Sequence, residues 1–324
     1  MNNVIVGDAA EVLRQLPSAS FDMCITSPPY YGLRDYETEN QIGLEESPEE
    51  YIERLVCVFR EVRRVLKNDG TLWLNIGDSY ATKSGAKPPR NTRNRCGHTK
   101  KAVPAGYKAK DLIGIPWMLA FALRSDGWYL RQDIIWAKGN PMPESVKDRC
   151  TKSHEHVFLF SKQPRYFFNQ AAIKEPCSAA NVQDFLRRRK KTENMSVGGY
   201  REARPDLNRR RDAYMPTNFM RNRRDVWIIN TKPFKGAHFA TFPEALAEPC
   251  IRAGCRDGGT VLDPFFGSGT VGVVALKEGK NYIGIEINEE YAKLAEKRIE
   301  KSKEEQHGNQ EKNDNSNHRQ REDR

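Results

Sequence analysis

Cysteine is scarce and shows no pairing pattern. The seven residues are an odd number, scattered along 324 positions, with no C-x-x-C. That excludes a disulfide framework and makes a reducing, cytoplasmic location the expectation. Two short clusters, Cys96-Gly97-His98 and His154-Glu155-His156, carry metal-ligand residue types. Neither has the partner spacing of a closed zinc site, and the second is not H-E-x-x-H, so no metal is expected. There is no apolar run long enough to cross a bilayer and no signal peptide, so no membrane is expected as a partner. No internal repeat is evident. Apolar residues make up only 38%, which leaves room for polar appendages around a core. Acids are outnumbered, 43 against 53 Lys and Arg, for a net charge of +10. That excess suggests a polyanionic partner. The length fits one large α/β domain with an insertion, or two domains.

The most informative stretch is Ile25-Thr26-Ser27-Pro28-Pro29-Tyr30. The apolar run Phe21–Ile25 reads as a short buried strand, and the two prolines stop it. They fix φ and remove two donors, leaving a stiff turn with outward carbonyls. Ser27 offers a hydroxyl acceptor, Pro28 a carbonyl and Tyr30 a flat ring with a polar tip. Such a turn can grip a planar group bearing an exocyclic NH2 and leave the nitrogen lone pair free to attack. Taken alone, the six residues read equally as a Pro-rich turn closing a strand.

Near the C-terminus, Thr260-Val261-Leu262 reads as a strand. Asp263-Pro264-Phe265-Phe266-Gly267-Ser268-Gly269-Thr270 is a glycine turn and opens a helix. Asn281–Ile285 is a second strand, ending at Glu286. Strand, turn, helix and strand-end acid make a nucleotide-binding βαβ unit in which Glu286 can accept from two ribose hydroxyls. Gly267, Gly269 and Gly272 also satisfy G-x-G-x-x-G, the dinucleotide fingerprint, so the turn alone does not choose the cofactor. Two more strand-end acids stand out. Asp8 follows the strand Asn3–Val6 and is a helix N-cap or a ligand acceptor. Asp78 follows the strand Thr71–Ile76 and is a second acceptor, a proton acceptor, or the cap of the turn that follows.

The Thr-Ser-Pro-Pro-Tyr turn resembles the (D/N/S)PP(Y/F) catalytic loop of S-adenosylmethionine-dependent amino-methyltransferases, in the form typical of DNA cytosine-N4 enzymes. The second turn resembles their DPFxGSGT cofactor motif. With the catalytic loop near the N-terminus and the cofactor loop near the C-terminus, the order resembles the β group of DNA amino-methyltransferases. The resemblance covers about residues 3–165 and 234–300. It implies an α/β fold: a Rossmann-like class I methyltransferase sheet, mostly parallel, with helices on both faces and one reversed strand, expected at His156–Phe160. The cofactor implied is S-adenosyl-L-methionine. Phe265, Gly267, Ser268, Gly269 and Thr270, in the run Phe265 to Thr270, would wrap its methionine end, Glu286 would hold its ribose and Ile287 lie against its adenine, with Asp8 near the adenine amine and Asp263 also among the cofactor-binding residues. Ser27, Pro28, Pro29 and Tyr30 would hold a base flipped out of double-stranded DNA, with Asp78 as a second acceptor.

The expected organisation is a catalytic half over 1–165, a target-recognition insertion over 166–233, a cofactor half over 234–300 and a disordered tail over 301–324. A helix is read from Ser47, its N-cap, through Tyr51, Leu55, Phe59, Val62 and Leu66 to about Asp69-Gly70, and taken as core. A second capping box is read at Thr241–Glu244. Adenine-N6 methylation by the same machinery is the nearest rival reading. An enzyme acting on RNA or a protein amide, and a non-enzymatic DNA-binding protein with a vestigial cofactor fold, are more distant. A cognate restriction endonuclease fits as a partner, and a monomer and a dimer are equally compatible with the sequence.

Residues 82–110 carry nine Lys and Arg and no acid. Residues 187–224 carry thirteen Lys and Arg against four acids, including Arg187-Arg188-Arg189 and Arg209-Arg210-Arg211, with aromatics interleaved. A basic run is ordinarily a solvated face, but interleaved aromatics in an insertion suggest contact with DNA. Replacing Arg209, Arg210 and Arg211 with Ala is expected to flatten the salt dependence of DNA binding. The log–log slope should fall by about 0.9 for each phosphate that is no longer neutralised, measured by titration at several salt concentrations. An unchanged slope assigns the run to a solvated face.

Overall fold

The computed structural model describes residues 2–33, 38, 40–81, 103–184, 186–187, 219–231 and 242–322, from 306 onward as backbone alone. It divides into two compact units, one of residues 1–168 with 225–324 and one of residues 169–224.

The larger unit is built on an eight-stranded sheet. Its strands are β1 (Asn2–Val6), β2 (Phe21–Thr26), β3 (Leu66–Ile76), β4 (Tyr129–Ala137), β5 (His154–Ser161), β8 (Val226–Ile228), β9 (Thr260–Asp263) and β10 (Asn281–Glu286). They lie in the order β1-β10-β9-β2-β3-β5-β4-β8. All neighbours are parallel except at β5, which runs against both β3 and β4. The reversed strand is therefore the segment expected from the sequence. Every residue of β2 is buried, as befits a central strand covered on both faces. Helices α1 (Ala9–Gln15), α2 (Pro48–Val65) and α3 (Ile115–Ser125) cover one face. There Leu13, Tyr51, Leu55, Phe59, Val62, Leu119 and Leu123 meet Cys24, Leu72, Leu74, Phe158 and Leu262 in one core. Helices α4 (Glu244–Gly254), α5 (Thr270–Lys277) and α6 (Glu289–Glu322) belong to the other face.

The strand order places the site. From β2 the chain works outward through β3 on one side. On the other side β9 and β10 follow, and β1 adds itself beyond β10. The N-terminal strand is thus part of the same half-sheet as the glycine turn. Ligands of open α/β sheets bind at the carboxyl ends of strands where the order reverses, and here that point is the β2–β9 junction.

Several boundaries differ from expectation. Helix α2 starts as read, with Ser47 Oγ accepting from Glu50 N at 3.2 Å, but Glu50 accepts in turn from Glu46 N rather than Ser47 N. The helix ends at Val65. Buried Leu66 already pairs with Phe21 in β3, and the Asp69-Gly70 stretch falls in a register shift before Thr71 joins Met23. Helix α4 begins at Glu244 behind Pro243, with no side-chain cap. Glu244 is instead held by Lys277 and Arg298, and Thr241 lies outside the described residues. The tail expected to be disordered continues α6 to Glu322. Its Lys, Glu and Gln residues are good helix formers, and the pair Lys301–Glu305 lies at i,i+4 spacing, 3.9 Å apart. Val226–Ile228, expected inside the insertion, pairs with β4 as an edge strand, and Trp136 Nε1 donates to Ile229 O at 2.9 Å.

The smaller unit contains a 3-10 turn, Gln170–Ile173, capped by Asn169, and a short antiparallel pair, β6 (Glu175–Pro176) with β7 (Met220–Arg221). Arg221 and Glu175 form an ion pair across it at 2.9 Å. Arg187 is exposed and lies 3.6 Å from Asp184. Arg188, Arg189, Arg209, Arg210 and Arg211 lie outside the described residues, as does most of the basic stretch 82–110.

The packing beneath the glycine turn yields a stability test. A Cβ on Gly284 of β10 would sit 2.3 Å from the ring of buried Phe266. Gly284→Ala is expected to destabilise the fold by about 1–3 kcal/mol through overpacking, read from urea unfolding.

Candidate active site

Strand β2 ends at Thr26 and its chain turns through Ser27-Pro28-Pro29-Tyr30. The turn is held from beneath by the helix expected to be pure core. The hydroxyl of Tyr51 in α2 donates to the Pro29 carbonyl at 2.7 Å. The Pro28 carbonyl has no hydrogen-bond partner among the described residues. The Tyr30 hydroxyl donates to Glu155 Oε2 at 2.7 Å, and Ser27 Oγ lies 3.5 Å from that hydroxyl as a donor to it. Asn75 Nδ2 donates to the same Glu155 oxygen at 3.3 Å and to His156 O at 3.1 Å. Lys138 forms an ion pair with the other Glu155 oxygen. Burial, followed by the charge of Glu155, pushes the Tyr30 phenol well above its usual pKa, so it stays protonated as a donor.

Glu155, Asn75, Lys138 and Lys152 on the cavity wall, and Tyr51 beneath the turn, are among the residues that the sequence did not assign to the site. Glu155 stood in a His-Glu-His cluster, and strand alternation explains why that cluster is not one site. Successive residues of β5 point to opposite faces. His156 instead faces Asp133 at 3.0 Å and packs its ring against Phe158.

The glycine turn is built as its spacing suggested. Gly267 and Gly269 have positive φ, 51° and 77°, a region costly for other residues. Gly267 N donates to Glu286 Oε2 at 2.7 Å and Asn288 N to Oε1 at 3.0 Å. Arg298 of α6 reaches back to Ser268 O and Oγ at 3.2 and 3.1 Å and to Thr270 Oγ1 at 2.9 Å. Thr26 Oγ1 donates to Asp263 Oδ1 at 2.6 Å, joining the end of β2 to the start of the glycine turn.

One cavity of about 530 Å³ runs along both turns. Asp8, Ser27, Pro28, Pro29, Tyr30, Asp263, Phe265, Gly267, Thr270, Glu286 and Ile287 all line it. Ser268 and Gly269 do not: Ser268 faces Arg298, and Gly269 packs toward Ala295. Asp8 lines the wall and also caps α1, its Oδ1 accepting from Ala10 N and Glu11 N at 2.9 and 3.0 Å. Asp78 takes the capping reading, not the acceptor one. It is not part of the cavity wall, and its carboxylate accepts from the amides of Ser79, Gly114 and Ile115 at 2.8–3.1 Å. It caps α3, where an anion complements the helix N-terminus.

The two ends of the cavity differ electrostatically. At the glycine turn, burial holds the Asp263 carboxyl up at about 7 and raises that of Glu286. Two buried acids, a glycine whose Cβ position is open space and the apolar faces of Phe265 and Ile287 suit a cationic ligand with hydroxyl donors. At the other end stand Lys138 and Lys152, the latter with its pKa pulled down by burial and its ammonium donating to Asp78 O. Asp263 gives a linkage test. Its folded-state pKa lies above the unfolded value, so its contribution to stability is full below about pH 4 and is lost as pH rises through about 7. Asp263→Asn keeps the Oδ1 acceptor but cannot ionise. Its Tm relative to the wild type is expected to rise between about pH 4 and pH 8, measured by thermal unfolding; a flat difference removes Asp263 as the titrating group.

Residues 21–297 match the DNA methylase family of N6/N4 methyltransferases. The type II methyltransferase M.SmaI of Serratia marcescens is 49% identical over 298 residues, which is 91% of this chain and 90% of that protein. M.Cfr9I of Citrobacter freundii is 48% identical over 296 residues, 91% and 86% of the two chains. Among solved structures, the putative DNA modification methylase TTHA0409 of Thermus thermophilus, complexed with S-adenosyl-L-methionine, aligns with a TM-score of 0.58 at 25% identity over 93% of this chain and 94% of its own. The cytosine-N4-specific PvuII DNA methyltransferase aligns with a TM-score of 0.60 over 91% and 84%, and at 19% identity that is a likeness of fold. Matched over most of its length and nearly half identical to type II methyltransferases, the chain belongs to the N6/N4 family of DNA methyltransferases, enzymes that draw their methyl group from S-adenosylmethionine.

Proposed function

We propose that this enzyme methylates the exocyclic N4 of a cytosine flipped out of double-stranded DNA. The observation that carries the proposal is the single cavity joining the Ser27–Tyr30 turn to the Asp263–Thr270 turn. A base inside the stack cannot reach it, so the target is extruded and held at the Pro-Pro turn. Tyr30 supplies the flat face. Ser27 Oγ and the Pro28 carbonyl accept from the amine and aim its lone pair toward the glycine turn. Glu286 accepts from ribose hydroxyls, Asp263 faces the cationic part of the cofactor, and Ile287 and Asp8 border the adenine. S-adenosylmethionine, when bound, supplies an electrophilic methyl group on a sulfonium. The protein contributes positioning, water exclusion and oriented acceptors.

The choice of cytosine rests on Ser27. A hydroxyl is a weaker acceptor than the carboxylate of the Asp form, which leaves more of the grip to shape and stacking in a pocket suited to the smaller base. The basic residues of 187–224 would track the phosphates and read the target sequence. The designation of the relatives as type II methyltransferases supports a cognate restriction endonuclease as partner.

Unmethylated genomic DNA treated with labelled cofactor and digested to nucleosides is expected to carry label in N4-methylcytosine. Label in N6-methyladenine alone moves the target to adenine and leaves the mechanism standing. Tyr30→Ala is expected to lose most transfer while calorimetric cofactor binding persists, because the ring serves the base end of the cavity. Full transfer by that variant would remove Tyr30 from the site.

A further inference from the structure

A serine at the position that grips the amine raises a question of direction. A carboxylate there could only accept. A hydroxyl can donate its one hydrogen or accept through its lone pairs, and only the second orientation suits an NH2 group. What surrounds Ser27 decides which.

The hydrogen bonds around Ser27 form a chain with a fixed end. Glu155 is acceptor-only, 11% exposed at its side chain, and Lys138 occupies its outer oxygen. Its inner oxygen takes the Tyr30 hydrogen at 2.7 Å, shorter than the alternative approach of that hydroxyl to Asn75 Oδ1 at 3.4 Å. With its hydrogen committed, the Tyr30 oxygen can only accept, and the donor 3.5 Å from it is Ser27 Oγ. Asn75 is oriented by the same carboxylate and by His156 O, its NH2 turned toward both. The fold makes room for this chain. On reversed strand β5, His156 pairs with Ile76, so Glu155 falls beside Gly77. A Cβ on Gly77 would lie 2.8 Å from Tyr30 Cε2 and 3.4 Å from the Glu155 side chain. Only the missing side chain lets the phenol reach the carboxylate.

We propose that Glu155 is a positioning residue that sets the hydrogen-bond direction of the Tyr30–Ser27 chain, so that Ser27 presents lone pairs, and not its hydrogen, to the target amine. This rests on the amine-methylation reading above. It explains how a neutral hydroxyl fills a place that an acid fills in the Asp form of the loop.

Glu155→Gln tests direction with almost no change of shape. Lys138 will keep the amide oxygen, which turns the amide NH2 toward Tyr30 and reverses the chain. That NH2 also meets the Asn75 NH2 that had donated to the same oxygen, so Asn75 turns its Oδ1 to residue 155 and no longer offers it to Tyr30; the Tyr30 hydrogen then points at Ser27 and the Ser27 hydrogen at the amine. The expected result is a fall of about tenfold or more in kcat, the equivalent of about one hydrogen bond lost in the transition state. KM for S-adenosylmethionine should stay near wild type, while the Tm falls because Lys138 loses its charged partner. Adding Ser27→Asp to Glu155→Gln supplies an oxygen that needs no orientation, and it is expected to recover much of the lost kcat. Labelled S-adenosylmethionine and unmethylated genomic DNA serve as the assay, with thermal unfolding of each variant alongside. Wild-type kcat in Glu155→Gln overturns the proposal, and so does a loss that Ser27→Asp leaves unrecovered. An inactive wild type would instead overturn the methyltransferase reading itself.

Discussion

The hydrogen bond from Thr26 to Asp263, 2.6 Å long and fully buried, sits where the two halves of the sheet meet. The two residues joined by this bond lie 237 positions apart in the chain, and strand β2 leads into the Pro-Pro turn and β9 into the glycine turn. Their parallel pairing puts both carboxyl ends at one edge. The prolines after Thr26 then turn one chain away while the glycines after Asp263 let the other curl back. A cavity opens between a stiff turn and a tight one. Asp263 also anchors its own turn by accepting from Phe265 N at 3.1 Å. One carboxylate thus ties strand to strand and strand to loop, and its raised pKa reflects how completely these contacts exclude water from it.

The reversed strand has a second consequence. A parallel β5 would have brought a different end of its chain to the site edge. Running against β3, it delivers its first residues there, and Glu155 and Lys138 arrive from neighbouring antiparallel strands. Asn75 comes from the end of β3 in the same layer. The Ser27–Tyr30 end of the cavity is therefore a product of the antiparallel corner of the sheet, and the glycine-turn end of its parallel half. Each half supplies the polarity that its geometry allows: buried acids over a glycine turn on one side, an ion pair with a polarised phenol on the other.

Those facts bear on what sequence reading could reach. The two turns were legible because each is local: the Pro-Pro and glycine residues announce their backbone demands within a few positions. The α2 core stripe was legible from its spacing, whereas the reversed strand came with the family resemblance. Glu155 was not, because its importance lies in a register between β3 and β5 and in the absence of a side chain at Gly77. Tyr51 hid in a helical stripe whose spacing correctly said core, while only its hydroxyl reaches Pro29. Asp8 and Asp78 share one local signature, an acid just past a strand. Asp8 caps the helix that immediately follows and stays on the cavity wall. Asp78 caps a helix beginning at Ile115, brought in by the chain beyond it, and is drawn away from the cavity. Nothing within a few residues of either acid distinguishes the two outcomes. Val226–Ile228 joined the main sheet for a similar reason: three residues carry too little pattern to outweigh the basic stretch before them.

The division of charge along the cavity also constrains how catalysis can work. In the proposed reading, methyl transfer from a sulfonium would move positive charge away from the Asp263–Glu286 wall toward the Ser27–Tyr30 wall. A bare carboxylate at the receiving end would stabilise that charge, but it would also attract cations in the ground state and have to be desolvated. Here the carboxylate is set back one step and neutralised by Lys138, and what would face the base in that reading is a hydroxyl and a carbonyl. Oriented dipoles of this kind interact weakly with a neutral amine and more strongly as charge develops on it, which is the difference that lowers a barrier. Their value depends on staying oriented. That requirement accounts for the density of supporting contacts beneath so small a turn, with Tyr51 on Pro29, Gly77 against the phenol and Glu155 fixing its hydrogen.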